Sequence, residues 1–446
     1  MKSNFLTYIQ DTFQFSLEEI QDFETSLTKT LKRSFHINTR KISVEDFVKK
    51  VEKKWWKISP TGYGKNTFYL DSLPETYSAL WNTIEHINGY FYIQEVAAGS
   101  SAYYLSDDTI DTWEYRILDM SASPGGKTSQ LSCYYPNASI IANELDKNRL
   151  RTLQDTINRI SATNIAVTNY DGRNFKNFPE IFDKILLDAP CSGEGTAFKT
   201  DDALKFWNLK NIEQIAQLQF QLFESALFSL KIWWEIVYST CTLNKIENEW
   251  VIGKITEKYP WVLEALPLMN NNGNNTKRNW SHKDQTGWFF VAKFRKISSI
   301  SWTSKENIVV KQNIGRLQSK QDKYIRFWLE SSFWFETKSY NIYEYRWKIF
   351  LADKKLHILT DSFFFFQIGM EIGEFRGQVF EPNFFLGSKT LFSKNTLNMS
   401  EEETLKLLLW EKQESNRKNW FYQLSLDNWI LWWIVKVQNN KIRKVD

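Results

Sequence analysis

From about residue 115 onward, short apolar runs and helical stretches take turns, and this alternation constrains the fold more than any other feature of the chain. The runs are YRILDMS, SIIANEL, NIAVTNYD, FDKILLDAP and EIVYSTC, with KNRLRTLQDTINRI and NIEQIAQLQFQLFESALFSL among the stretches that separate them. Strands spaced by helix-length segments need crossover connections. The sheet is therefore expected to be mostly parallel, covered on both faces, and open to ligands outside the carboxyl ends of its strands. The fold class this predicts is α/β.

The chain is 446 residues long, more than one core organises, so appendages are expected. Residues 1–75 form a small α/β appendage, with a helix at SLEEIQDFETSLTKTLKRS, a strand at FHINTRKIS, and a capping-box signal in Ser16 and Glu19. The core is placed at 76–296. A basic connecting region follows at 297–368, because residues 293–326 carry nine Lys or Arg against two acids. Phe-rich β-like runs place a last small domain at 369–446. The formal charge of +4 is too small to diagnose a nucleic-acid binder from the total. No apolar run is long enough to span a membrane, and MKSNFLTYIQDTF lacks the pattern of a leader, so a reducing cytoplasm and no membrane partner are expected. Three cysteines far apart in the chain make no disulfide framework, leaving Cys133, Cys191 and Cys241 as free thiols.

Three motifs carry chemistry. LDMSASPGGKT, residues 118–128, is a strand entering a Pro-Gly-Gly turn that opens a helix; its glycines admit a close ligand and its helix start favours negative charge. A phosphate loop would need glycine where Ser121 stands, which argues against a nucleotide triphosphatase. Glu144 ends the next strand, placed to accept hydrogen bonds from the ribose of an adenosine-containing cofactor. DKILLDAPCSGEGT, 183–196, ends a strand in Asp188 and Cys191, while EIVYSTCTLNKIENE, 235–249, ends another in Cys241. Two thiols and a carboxylate at one sheet edge suit proton transfer and nucleophilic work. Cys133 lies on a helix and is read as packing. His36, His86, His282 and His357 all fall outside the two turns, which weakens a Cys-His protease, and a four-ligand zinc site lacks donors, so no metal is expected. Nothing in these residues ranks one thiol over the other.

LDMSASPGGKT, ANELDKNR, DKILLDAPCSGEG, YSTCTLNKIENE and GYFYIQE together resemble, in order, the Nop/Sun family of S-adenosyl-L-methionine (AdoMet)-dependent RNA 5-methylcytosine methyltransferases. The likeness covers residues 1–296. GMEIGEFRGQVFEPN, 369–383, resembles the PUA-like carboxyl-terminal domain of the bacterial small-subunit ribosomal RNA members. The resemblance implies a Rossmann-like methyltransferase core, a PUA-like RNA-binding tail, and a ribosomal RNA or small-subunit particle as partner. The alternatives are the same reaction on transfer RNA, or an RNA-binding assembly protein without activity. It further implies that Ala122, Ser123, Pro124, Gly125, Gly126, Lys127 and Thr128, with Glu144, hold AdoMet, with Asp171 near the adenine and Asp188 near both cofactor and target base. Cys241 would be the nucleophile, Cys191 would assist release, and Lys127 would line the same pocket. A flipped base in a loop or single strand is the accessible target. Lys32, Arg33, Arg40 and the 293–326 cluster are expected to meet phosphates.

Glycine and tryptophan usage is abnormal. Average usage predicts roughly 31 glycines, yet there are 17, beside 20 tryptophans. Trp233 and Trp234 stand where the resembled family has Gly-Gly, and Trp81, Trp250 and Trp288 also fall where glycine is expected, whereas Trp207 matches a family tryptophan. A UGA codon read as glycine accounts for the deficit and the excess together.

Overall fold

The computed structural model describes residues 2–75, 77–198, 204, 207–300, 314–333, 335–359, 362–383, 396–408, 413–426, 429–439 and 441–444. Near the amino terminus, helices α1 (Lys2–Phe13), α2 (Leu17–Ser26) and α3 (Val44–Glu52) accompany strands β1 (Ser34–Ile37), β2 (Lys57–Pro60), β3 (Thr67–Ser72) and β4 (Phe91–Ile93). The strands form an antiparallel sheet in the order β2-β3-β1-β4. Ser16 caps α2 by accepting from the Glu19 amide at 3.1 Å, but the Glu19 carboxylate turns outward to Lys283. Because β4 pairs with β1, this sheet reaches past the boundary expected at residue 75.

The largest described sheet follows: β5 (Arg116–Asp119), β6 (Ser139–Asn143), β7 (Ile165–Thr168), β8 (Phe182–Asp188), β9 (Leu230–Thr240), β10 (Leu263–Ala265), β11 (Thr276–Asn279) and β12 (Phe289–Lys296). Its crossovers use α6 (Gly126–Tyr134) after β5, α7 (Lys147–Ile160) after β6 and α8 (Leu209–Ser229) after β8, while α4 (Ile84–Ile87) and α5 (Val96–Ser106) precede it and α9 (Val251–Lys258) follows β9. β5, β6, β7, β8 and β9 run parallel, and β12 closes beside β9 antiparallel. The expected α/β class with a mostly parallel, Rossmann-like sheet is what the chain adopts.

Period-two alternation divides the strand residues between two cores. Leu118, Ile141, Ala166, Ile185 and Ile236 pack on one face; Ile117, Ile140, Ile165, Leu186 and Val237 pack on the other. All ten are fully buried, which is why these runs read as continuously apolar. Each large aliphatic contributes about 1.5–3 kcal/mol by leaving water.

The carboxyl-terminal strands are β13 (Gly315–Arg316), β14 (Tyr340–Tyr345), β15 (Lys348–Asp353), β16 (Gln367–Ile368), β17 (Met370–Arg376), β18 (Val379–Pro382), β19 (Thr396–Met399), β20 (Gln413–Glu414), β21 (Trp420–Leu426), β22 (Trp429–Gln438) and β23 (Lys441–Lys444). One five-stranded sheet runs β13-β14-β15-β17-β18, a second β19-β21-β22-β23-β20, and β16 joins the core sheet beside β7. The division expected between 368 and 369 therefore cuts through a sheet: the 297–368 stretch contributes three strands to it, because β15 pairs with β17. Residues 301–313 of the basic stretch lie outside the described residues. Among the described residues no helix is long and apolar enough to cross a membrane.

Candidate active site

The two thiols meet because of strand register. β8 and β9 are parallel neighbours with Asp188 opposite Ser239, so residues three past one and two past the other leave the sheet side by side. The Ala189 amide still donates to the Ser239 carbonyl at 2.9 Å, but Pro190 has no amide proton and the ladder stops there. Cys191 Sγ and Cys241 Sγ lie 3.1 Å apart. Both are half-buried free thiols, whereas Cys133 is fully enclosed on α6, as packing requires. The hydrogen bond with Cys241, then burial, then the negative charges of Cys241 and Glu247 hold the Cys191 thiol well above the ordinary cysteine range.

Asp188 ends β8 between two donors. Lys127 Nζ reaches its Oδ2 at 2.8 Å, and Ser239 Oγ donates to its Oδ1 at 2.8 Å. Burial alone would depress the Lys127 ammonium, but Asp188 overcomes this and raises it. Behind them, Asp119 is enclosed, accepts from Thr128 Oγ1 at 2.7 Å, and is pushed up to about 7, burial being the main cause.

A cavity of about 870 Å³ opens over these strand ends, with Ser123, Glu144, Asp171, Asp188, Cys191 and Cys241 among its walls. Glu144 Oε1 accepts from the Asp146 amide at 2.9 Å, whereas its buried Oε2 takes no hydrogen bond and faces Arg149 Nη2 at 3.5 Å. Asp171 is held by Arg173, which lowers its carboxyl below the usual range. Ala122, Pro124, Gly125, Gly126 and Thr128 do not line the cavity; they form the turn behind it, and Lys127 reaches it through Asp188. The turn requires glycine at 125, where φ is +105° and a Cβ would lie 2.8 Å from Thr156 Cγ2.

Several residues that hold this site had no role in the sequence reading. Glu194 Oε2 accepts from the Leu243 amide at 2.7 Å, and its Oε1 accepts from Asn244 Nδ2 at 2.9 Å and Trp207 Nε1 at 2.8 Å. Glu247, on a π-helical turn at Ile246–Trp250, accepts at Oε2 from the Ser192 amide at 2.9 Å and Gln219 Nε2 at 2.8 Å, and at Oε1 from Asn244 Nδ2 at 2.7 Å. All these acids and amides are buried. Gln219 had a signal: it falls on the apolar stripe of α8 with Ile212, Ala216 and Phe223, where a polar side chain needs a partner.

The basic residues expected to meet phosphate divide. Arg40 donates to the Pro136 carbonyl and Thr163 Oγ1 at 3.0 Å each and faces Asp353 at 3.7 Å, so it ties parts of the chain together. Lys293 and Lys296 are buried on β12, paired with Asp107 and Glu180. They are internal counter-charges rather than a solvated patch. Lys32 pairs with Asp71 at 2.5 Å and lies over Tyr69, and Arg33 lies over Trp81, both near the surface. Among the described residues no group of three His, Cys, Asp or Glu could hold a metal ion.

A parallel sheet with an acid-lined cavity and paired thiols at its strand ends defines the class: a Rossmann-like methyltransferase. The family model described as 16S rRNA methyltransferase RsmB/F matches residues 109–295, and that for the N-terminal domain of 16S rRNA methyltransferase RsmF matches 1–96. The chain is 35% identical over 375 residues to ribosomal RNA small subunit methyltransferase F of Vibrio parahaemolyticus, covering 80% of this chain and 76% of that one. It is 34% identical over 404 residues to the protein of that name in Shewanella piezotolerans, with coverage of 87% and 84%. The crystal structure of a methyltransferase homolog protein from Pyrococcus horikoshii superposes with a TM-score of 0.55 at 33% identity, covering 64% of this chain and 93% of that one. The chain belongs to the small-subunit ribosomal RNA methyltransferase F family.

Proposed function

We propose that this chain methylates carbon 5 of a cytosine in small-subunit ribosomal RNA, in the cytoplasm, with Cys241 as nucleophile and Cys191 as the group that frees it. The observation that carries this reading is the 3.1 Å approach of the two sulfurs beside the Lys127–Asp188 pair. AdoMet fits the cavity: Glu144 Oε2 is a buried acceptor without a hydrogen bond, suited to ribose hydroxyls, and Ser123, Asp171 and Asp188 share the walls. Bound there, AdoMet supplies the methyl group.

Carbon 5 of cytosine is a weak nucleophile. The Cys241 thiolate adds to carbon 6, forming an S–C bond while the double-bond electrons move toward nitrogen 3. Asp188, supplied with a proton by the Lys127 ammonium, protonates that nitrogen. The ring can then act at carbon 5 as an enamine. After methylation the carbon 5 proton leaves to solvent, its electrons restore the double bond, the S–C bond breaks toward Cys241, and the nitrogen 3 proton returns through Asp188 to Lys127. The Cys191 thiol gives its proton to that departing sulfur and recovers one from solvent. The amino-terminal sheet and the carboxyl-terminal sheets are assigned to holding the RNA, with Lys32 and Arg33 as phosphate contacts.

Incubation with methyl-tritiated AdoMet is expected to label small-subunit ribosomal RNA and leave bulk transfer RNA unlabelled. On a denaturing gel, Cys191→Ala should leave protein linked to RNA, and Cys241→Ala should abolish the linkage. The reverse pattern would exchange the two roles.

A further inference from the structure

We propose that Glu247 is the positioning residue that holds Cys191 beside Cys241 and keeps the two thiols unlike, so that one attacks and the other returns a proton. This rests on the thiol roles proposed above. Glu247 grips the turn that carries Cys191 directly, through the Ser192 amide at 2.9 Å, and indirectly, through Gln219, whose Nε2 donates both to Glu247 Oε2 and to the Pro190 carbonyl at 2.8 Å each. Its other oxygen fixes Asn244 three residues beyond Cys241. One buried carboxylate therefore fastens both thiol turns. Every contact given to its carboxylate is a donor, which suits the charged form; burial raises its carboxyl, and the Ser192 and Asn244 hydrogen bonds oppose that.

The other ionisable groups facing this pair are Cys241, Glu194 and Tyr238, with Glu249 next to Tyr238 and the Lys127–Asp188 pair across the crevice. Glu247 adds negative charge on the Cys191 side, so a thiol there is favoured over a thiolate.

The test titrates iodoacetamide alkylation of the Cys191 peptide in Cys241→Ala protein, with and without Glu247→Gln. The midpoint is expected to fall by about one pH unit when the charge is removed. In otherwise intact enzyme, Glu247→Gln should retain RNA-linked protein, the outcome also expected of Cys191→Ala. Gln219→Leu keeps the charge and loosens the turn, so it should retain linked RNA without moving the midpoint. An unchanged midpoint in folded Glu247→Gln overturns the proposal, and so does normal RNA release by folded Gln219→Leu, which decides the matter if Glu247→Gln does not fold. Absence of linked RNA in Cys191→Ala itself would instead count against the thiol roles.

A different observation carries a second inference. Trp55, Trp233 and Trp347 stand at φ of +64°, +71° and +60°, in the left-handed region that a bulky L-residue resists. Each occupies a different glycine-demanding turn. Trp55 follows α3, with the next amide bonded back to the Val51 carbonyl at 3.1 Å, where helices favour glycine. Trp347 is the second residue of the two-residue turn Arg346–Trp347 joining β14 to β15, the glycine place of an Asn-Gly hairpin. Trp233 lies in the irregular stretch where the β8–β9 register shifts. All three side chains are exposed, at 84%, 68% and 65%, so no packing offsets the strain. We infer that positions 55, 233 and 347 are glycine in the protein its own cell makes, encoded by UGA. Trp81, Trp234, Trp250 and Trp288 have no positive φ, and Trp288 is enclosed and stacked on Phe23, so this argument does not extend to them. Peptides of the host-made protein should weigh as glycine at the three sites, and Trp233→Gly should raise the melting temperature of recombinant protein. UGG codons, tryptophan masses or a lowered melting temperature would overturn it.

Discussion

Gly195 sets the closest tolerance around the thiols. Its amide donates to the Cys241 carbonyl at 2.7 Å, and a Cβ there would meet that same oxygen at 2.6 Å and the Trp288 carbonyl at 3.0 Å. Both obstacles are backbone, so Gly195→Ala must displace the Cys241 turn. Methyl transfer is expected to fall at least tenfold, equivalent to about 1.4 kcal/mol of barrier, while circular dichroism reports a folded chain; undiminished single-turnover rates would count against this. At this scale the two cysteines and Asp188 were legible, because each follows an apolar run and strand ends of a parallel sheet share one crevice. Glu194, Glu247 and Asn244 were not. In the chain they read as polar turn residues, and only the packing of α8 and of the amino-terminal helices around the Cys241 turn takes them out of water.

The junction of β5 with α6 stores an unfavourable charge. Asp119 closes β5, its Oδ1 takes no hydrogen bond, and its carboxyl lies at about 7 against an ordinary 3.8. Between roughly pH 4 and 7 the folded state thus keeps a proton that the unfolded chain has released. This contribution to stability is present at low pH and lost as pH rises through 7. Asp119→Asn should flatten the change in melting temperature between pH 5 and 8, and an identical slope in both proteins would contradict the assignment. The elements themselves were legible where periodicity is local: five runs became the five parallel strands. β4 lies within the expected core but joins the amino-terminal sheet, and β13–β15 lie in what was expected to be a connecting region. Pairing partners far apart in sequence leave no periodic trace in either strand.

Across the whole molecule, the amino-terminal unit and the last sheet clasp one another. Glu401 accepts from Lys54 Nζ at 2.8 Å and from the Tyr77 hydroxyl at 2.5 Å, while Lys54 also pairs with the buried Glu85 at 3.0 Å. Ile84 completes an apolar cluster with Leu397, Leu424 and Val435. Glu401→Ala leaves the apolar part of this contact intact and removes the polar part. Hydrogen exchange at the β19 and β21 amides should then quicken several-fold while that of β5 and β8 stays unchanged; equal rates in both proteins would show that the ion pair does not hold the clasp. The net charge of +4 gives no sign of this arrangement, and three of the cations expected to meet phosphate, Arg40, Lys293 and Lys296, serve as internal counter-charges. The Lys54–Glu401 contact joins residues 347 positions apart. A newly made polypeptide can close it only once residue 401 has been added, long after both thiol-bearing strands, so the clasp carries the loop-closure cost of a contact between distant parts of the chain.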